Sequence, residues 1–120
     1  MDSDGTRLRS GEPLFVVTEM LKHYAPAAVL LNCSMPEAIT KAMPILTDCD
    51  LPFGAYANGF TMITDAFKED APTVDALSAR ADLTPEIYAE HIMAWVGAGA
   101  TIVGGCCEVG PAHIAEISRR

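Results

Sequence analysis

Two short runs constrain the fold more than anything else in this chain. Ala27-Ala28-Val29-Leu30-Leu31 and Ala100-Thr101-Ile102-Val103 are too short for helices and lack the polar alternation of a strand with one wet face. Runs of this kind suit parallel strands buried on both faces by helices. A third short strand, Phe53 to Tyr56, is entered through the turn-like Asp48-Cys49-Asp50-Leu51-Pro52.

Helical signals fill the intervals. Ser10-Gly11-Glu12-Pro13 starts a helix over about 12–25, with Leu14, Val17, Leu21 and Tyr24 as its apolar stripe. Pro36 opens a second helix, in which Ser34 and Glu37 have capping-box spacing and Ile39, Ala42, Met43 and Leu46 form the buried face. Pro44 is expected to shorten or kink it. Thr84 as N-cap and Pro85 start a third helix, with Tyr88, Ile92, Trp95 and Val96 on one face and Gly97 and Gly99 at its end. Gly110-Pro111 starts a last helix that ends at Arg119-Arg120, where cations suit the helix dipole. The polar stretch from Ala57 to about Leu83 reads as a long connection, and loops of that length are commonly functional.

The alternation predicts an α/β fold with a parallel sheet and right-handed crossovers. Three parallel strands leave two open edges and too little covering surface, so the 120 residues read as part of something larger.

Composition narrows the function. Half the residues are hydrophobic, which excludes a disordered chain. Sixteen acids against eight scattered bases, net charge -8, argue against a nucleic-acid partner. No apolar stretch reaches the roughly 20 residues of a membrane span, and polar Met1 to Arg9 is unlike a secretory signal. A cytoplasmic chain with reduced thiols is therefore expected, which makes metal ligation the leading use of its four cysteines.

The first strand run leads into Cys33, and the last leads through Gly104-Gly105 into Cys106-Cys107. Parallel strands would bring all three thiols to one rim of the sheet, where α/β enzymes keep their chemistry. Three thiolates with one open position suit Zn2+ that acts on a ligand. Gly104 and Gly105 are expected to let the backbone bend so that both following side chains face one metal. The start of the last helix near Gly110 would support the anionic cluster.

Leu31-Asn32-Cys33-Ser34-Met35-Pro36-Glu37, Tyr56-Ala57-Asn58-Gly59 and Gly104-Gly105-Cys106-Cys107, followed by Gly110-Pro111-Ala112-His113-Ile114, resemble the successive motifs of the homocysteine S-methyltransferase family. They stand in the family's order and at similar spacing, with Ala57 where the family often has proline. The resemblance implies that residues 1–120 are the C-terminal portion of a (β/α)8 TIM barrel, its last three strands and their helices, with the N-terminal half absent. It further implies Cys33, Cys106 and Cys107 as zinc ligands, with the homocysteine sulfur in the fourth position. A donor such as S-methylmethionine, betaine or a methylated folate would supply the methyl group. Two alternatives stand beside this reading. One is the homocysteine-binding module of a multidomain methionine synthase; the other is a non-catalytic zinc-binding fragment that self-associates or pairs with another chain.

Each residue also has a plainer reading. A cysteine at a strand end is commonly a small buried apolar residue, and Asn32 and Asn58 could brace turns rather than bind homocysteine. Tyr56 suits a pocket wall. Cys49 is read as an ordinary thiol, His91 and His23 as structural or solvated, and His113 as ambiguous.

Overall fold

The computed structural model describes residues 1–60 and 80–120. Its elements are α1 (Leu14–Lys22), β1 (Val29–Asn32), α2 (Pro36–Thr47), β2 (Phe53–Ala57), α3 (Pro85–Gly97), β3 (Ile102–Gly105) and α4 (Pro111–Arg119). The order is the alternation expected. The strands form one parallel sheet in the order β1-β2-β3, so the middle strand in sequence is also the middle strand in space. Most of the expected long connection, 61–79, lies outside the described residues, as do its acids Glu69 and Asp70.

The core lies on one side of the sheet. Val29 and Leu31 of β1 and Phe53, Ala55 and Ala57 of β2 join Ile39, Ala42, Met43 and Leu46 of α2 and Tyr88, Ile92 and Trp95 of α3 in a single apolar cluster. Because side chains alternate along a strand, the intervening residues must point to the other face. The register pairs them across the sheet: Leu30 with Gly54 and Ile102, and Asn32 with Tyr56 and Gly104. Asn32 is exposed, Leu30 and Tyr56 are half-buried, and Ile102 is 42% exposed. Burial on both faces was expected of every strand, and only β2 approaches it. Among the described residues the second face has no helix layer to cover it.

The helix boundaries follow local chemistry. Thr84 caps α3 as expected, its Oγ1 accepting the Ile87 amide at 3.3 Å. The Ser34–Glu37 capping box does not form. Met35 is the N-cap of α2, while Ser34 Oγ donates to the Asn32 carbonyl and accepts the Met1 amino group. Two hydrogen bonds to other partners take the place of the cap. α2 runs through Pro44 to Thr47, with the proline on its exposed side. α1 stops at Lys22, so Tyr24 falls beyond it and is 75% exposed, and Thr18 is buried where Val17 was expected. In α3, Ala89 completes the buried face and Val96, one residue past Trp95, turns outward to 41% exposure. No helix among the described residues is long and apolar enough to cross a membrane.

One glycine fixes how closely β2 and β3 approach. A Cβ on Gly54 would stand 1.8 Å from the Ile102 carbonyl oxygen and 2.7 Å from its carbon, both backbone atoms that cannot rotate away. Gly54→Ala must therefore push the two strands apart, and we expect a loss of at least about 3 kcal/mol in urea unfolding. Gly97→Ala, at the end of α3 with open space around it, should instead gain about 0.4–1 kcal/mol. Equal effects at the two positions would refute this account of the strand contact.

Candidate metal centre

β1 and β3 flank β2, so their carboxyl ends release the chain on either side of its tail. Cys33 follows β1 directly and takes a left-handed backbone, φ 50°. A residue with a Cβ adopts that conformation at a cost, and it persists where the surroundings hold it. Here the Cys33 amide donates to the Tyr56 carbonyl at 3.1 Å, and the Asn58 amide donates to the Ser34 carbonyl at 3.0 Å. The strand therefore turns sharply while remaining tied to its neighbour.

The cysteine pair is tied to the same tail. The Cys106 amide donates to the Ala57 carbonyl at 2.9 Å, and the Gly59 amide donates to the Cys107 carbonyl at 2.8 Å. Beyond them the turn is made by Glu108, φ 61°, and closed by the Val109 amide on the Cys106 carbonyl at 3.1 Å. The bend was expected at Gly104 and Gly105, but both are strand residues and neither has a left-handed backbone. Gly105 supplies space instead: a Cβ there would meet Val109 Cγ1 at 2.1 Å.

The result is a group of three sulfurs, those of Cys33, Cys106 and Cys107, all within 4.8 Å of one another. The Cys106 and Cys107 sulfurs are 3.9 Å apart. Tetrahedral bonds of roughly 2.3 Å put sulfurs about 3.8 Å apart, so the donor set fits zinc with little movement. Cys33 and Cys106 are half-buried and Cys107 is exposed, which leaves an open side for a ligand. Burial pushes the Cys33 thiol above its ordinary range, and the neighbouring Cys106 adds to the shift, while Asn58 and Arg9 pull the other way.

Of the expected polar residues, Asn58 is brought to the sulfurs. It is fully buried, its Oδ1 accepts the Phe60 amide at 3.1 Å, and its Nδ2 is thereby turned toward Cys33 Sγ at 3.9 Å. Asn32 and Tyr56 lie opposite each other on the uncovered face of the sheet. No hydrogen bond among the described residues joins their side chains to the sulfurs. Cys49 stands apart, 1% exposed, with its thiol toward the Leu51 carbonyl. His91 packs 6.3 Å from the Trp95 ring, and the α4 start does not spend its first amide on the sulfurs: the Gly110 N–H goes to His113 Nδ1.

Arg80 was not singled out in the sequence. Its guanidinium spans Asp82, through Nε and Nη2, and Glu37 on α2, through Nη1 at 2.8 Å, and its amide donates to the Gly59 carbonyl. These bonds raise the Arg80 pKa, the Asp82 contact contributing most, and hold the Asp82 carboxyl below its ordinary value. They hold Arg80 beside Gly59. No spacing rule links position 37 to position 80, so only the fold reveals this clamp.

The homocysteine S-methyltransferase family matches across residues 1–120, and the chain belongs to that family. It is similar to the homocysteine S-methyltransferase of Escherichia coli (strain K12), 30% identical over 119 residues. That alignment covers 98% of this chain and 36% of the relative, so the chain spans about a third of the relative's length. No solved structure matches it.

Exposure sets an order of thiol reactivity. In metal-free, reduced protein, timed alkylation read by peptide mass should modify Cys107 first, Cys33 more slowly because burial disfavours its thiolate, and Cys49 only on unfolding. Rapid labelling of Cys49 in the folded chain would contradict the packing described.

Proposed function

We propose that the chain is the C-terminal segment of a (β/α)8 barrel and carries the metal site of a zinc-dependent transfer of a methyl group to the thiol of homocysteine, forming methionine. The single observation that carries this reading is the convergence of the three sulfurs at the strand ends. Residues 1–120 would then be a partial homocysteine-binding domain, and the uncovered sheet face would line the barrel interior. That placement accounts for a face bearing both Leu30 and Ile102 and the polar Asn32 and Tyr56.

Cys33, Cys106 and Cys107 would hold zinc as thiolates. Zinc bound there would deprotonate an incoming thiol that is otherwise mostly protonated at neutral pH. Three cysteinates form an electron-rich donor set, which favours alkyl transfer over hydrolysis. Asn58 would steady Cys33 by donating toward its sulfur, and Asn32 and Tyr56 would contact homocysteine from the adjoining face. No residue of the chain needs to accept the methyl group, because the cysteines act as ligands and the substrate sulfur is the nucleophile. A small methyl donor would approach from the exposed side, beside Cys107.

Reduced protein is expected to hold about one zinc per chain by atomic absorption, as a site with three protein ligands and an open position requires. Cys33→Ser, Cys106→Ser and Cys107→Ser should each abolish it, and Cys49→Ser should not. Homocysteine should bind the zinc-loaded chain and not the metal-free chain in equilibrium dialysis. Full zinc occupancy in the Cys106→Ser and Cys107→Ser proteins would overturn the assignment.

A further inference from the structure

Tyr88 lies on the buried face of α3 and has no solvent exposure, yet its hydroxyl is fully used. It accepts the Ala57 amide at 3.1 Å and donates to the Gly104 carbonyl at 2.7 Å; the Ala57 carbonyl lies farther away, at 3.4 Å. Ala57 and Gly104 belong to different strands: Ala57 stands opposite Gly105 at the last rung of the β2–β3 ladder, and Gly104 is the residue before it, opposite Tyr56. A helix side chain thus spans the ladder one rung before the Cys106 amide meets the Ala57 carbonyl.

The ring that carries this hydroxyl is itself held. Its edge-to-face neighbours are Trp95 at 6.4 Å and His113 at 5.8 Å. His113 is fixed at both nitrogens: Nδ1 accepts the Gly110 amide at 3.1 Å, so the ring proton sits on Nε2, which faces the Leu83 carbonyl at 2.9 Å. α3 and α4 therefore meet at Tyr88. Burial pushes its phenol up to about 12, so the hydroxyl keeps the proton it donates to Gly104.

We infer that Tyr88 is the positioning residue of the three-sulfur site: by bridging Ala57 and Gly104 it sets the separation of β2 and β3 where Cys106 emerges, and so the distance from Cys106 to Cys33. Cys33 hangs from β2 through the Tyr56 carbonyl, and Cys106 hangs from β2 through the next residue. Any change in the spacing of the last rung moves one sulfur relative to the other. The inference rests on the proposed zinc site for its purpose, but the geometric claim can be tested without metal.

The comparison is between Tyr88→Phe, which keeps the ring and loses the hydroxyl, and Leu46→Ala, which truncates a fully buried side chain in the last turn of α2, where the chain leads into the start of β2 rather than to the sulfurs. Metal-free protein is equilibrated in reduced and oxidised glutathione, and the pairing of Cys33 with Cys106 or Cys107 is mapped by peptide mass. Tyr88→Phe should lower the effective concentration of that pairing by about 10-fold or more, and zinc affinity measured by competition by about 10- to 100-fold. Leu46→Ala should lower the melting temperature while leaving both quantities within about 2-fold of the parent. Parent-like thiol pairing in Tyr88→Phe, or equal losses in the two variants, overturns the inference. A parent chain whose thiols pair normally but which takes up no zinc refutes the proposed function and leaves the positioning result standing.

Discussion

The backbone of Tyr56 to Gly59 is the rail on which the candidate site hangs. Four consecutive residues of it bond to the two segments that matter: Tyr56 accepts from Cys33, Ala57 accepts from Cys106, Asn58 donates to Ser34, and Gly59 donates to Cys107. Cys33 and the Cys106-Cys107 pair stand more than 70 residues apart in the chain, yet each is referenced to the same extended peptide. This is possible because β2 is central. An edge strand has one neighbour and could register one partner; a central parallel strand leaves N–H and C=O groups for both sides.

The rail also explains how strain is tolerated beside the sulfurs. Cys33 and Glu108 both take left-handed backbones, one on each side of β2. Such residues cost free energy that the folded surroundings must offset. At Cys33 the offset comes from two backbone hydrogen bonds to the rail; at Glu108 it comes from the turn that returns Val109 to Cys106. Glycine at either position would relieve the backbone, but at Cys33 it would remove a sulfur. Chemistry, not conformational preference, decides the residue there.

Much of this was legible in the sequence. The apolar runs located all three strands, the Thr84 cap and the Pro85 and Pro111 starts located α3 and α4, and the motif cysteines predicted which thiols would meet. What escaped were features that depend on partners distant in sequence. Ser34 and Glu37 have capping-box spacing, but each is drawn off by a remote group, the Met1 amino terminus and Arg80 respectively. Gly104-Gly105 looks like a bend, but the pair runs straight, and its value is the room it leaves for Val109. Tyr88 reads as one more member of an apolar stripe, because the periodicity that places a ring in the core is blind to the hydroxyl at its tip.

That blindness has a general cause. Hydrophobic periodicity reports which side of an element is dry, and a dry site is where a polar atom is costly unless it is paired. A tyrosine in the middle of a dry face therefore signals an unmet backbone group nearby, and here the groups are Ala57 and Gly104 at the end of the ladder. The same logic applies to Asn58, a fully buried side chain whose oxygen serves a backbone amide and whose nitrogen is left for a sulfur. Both residues lie within a few positions, in space, of the strand ends where the cysteines emerge. The buried polar groups of Ser34, Asn58 and Tyr88 serve the backbone where the strands end, and that is also where the thiols converge.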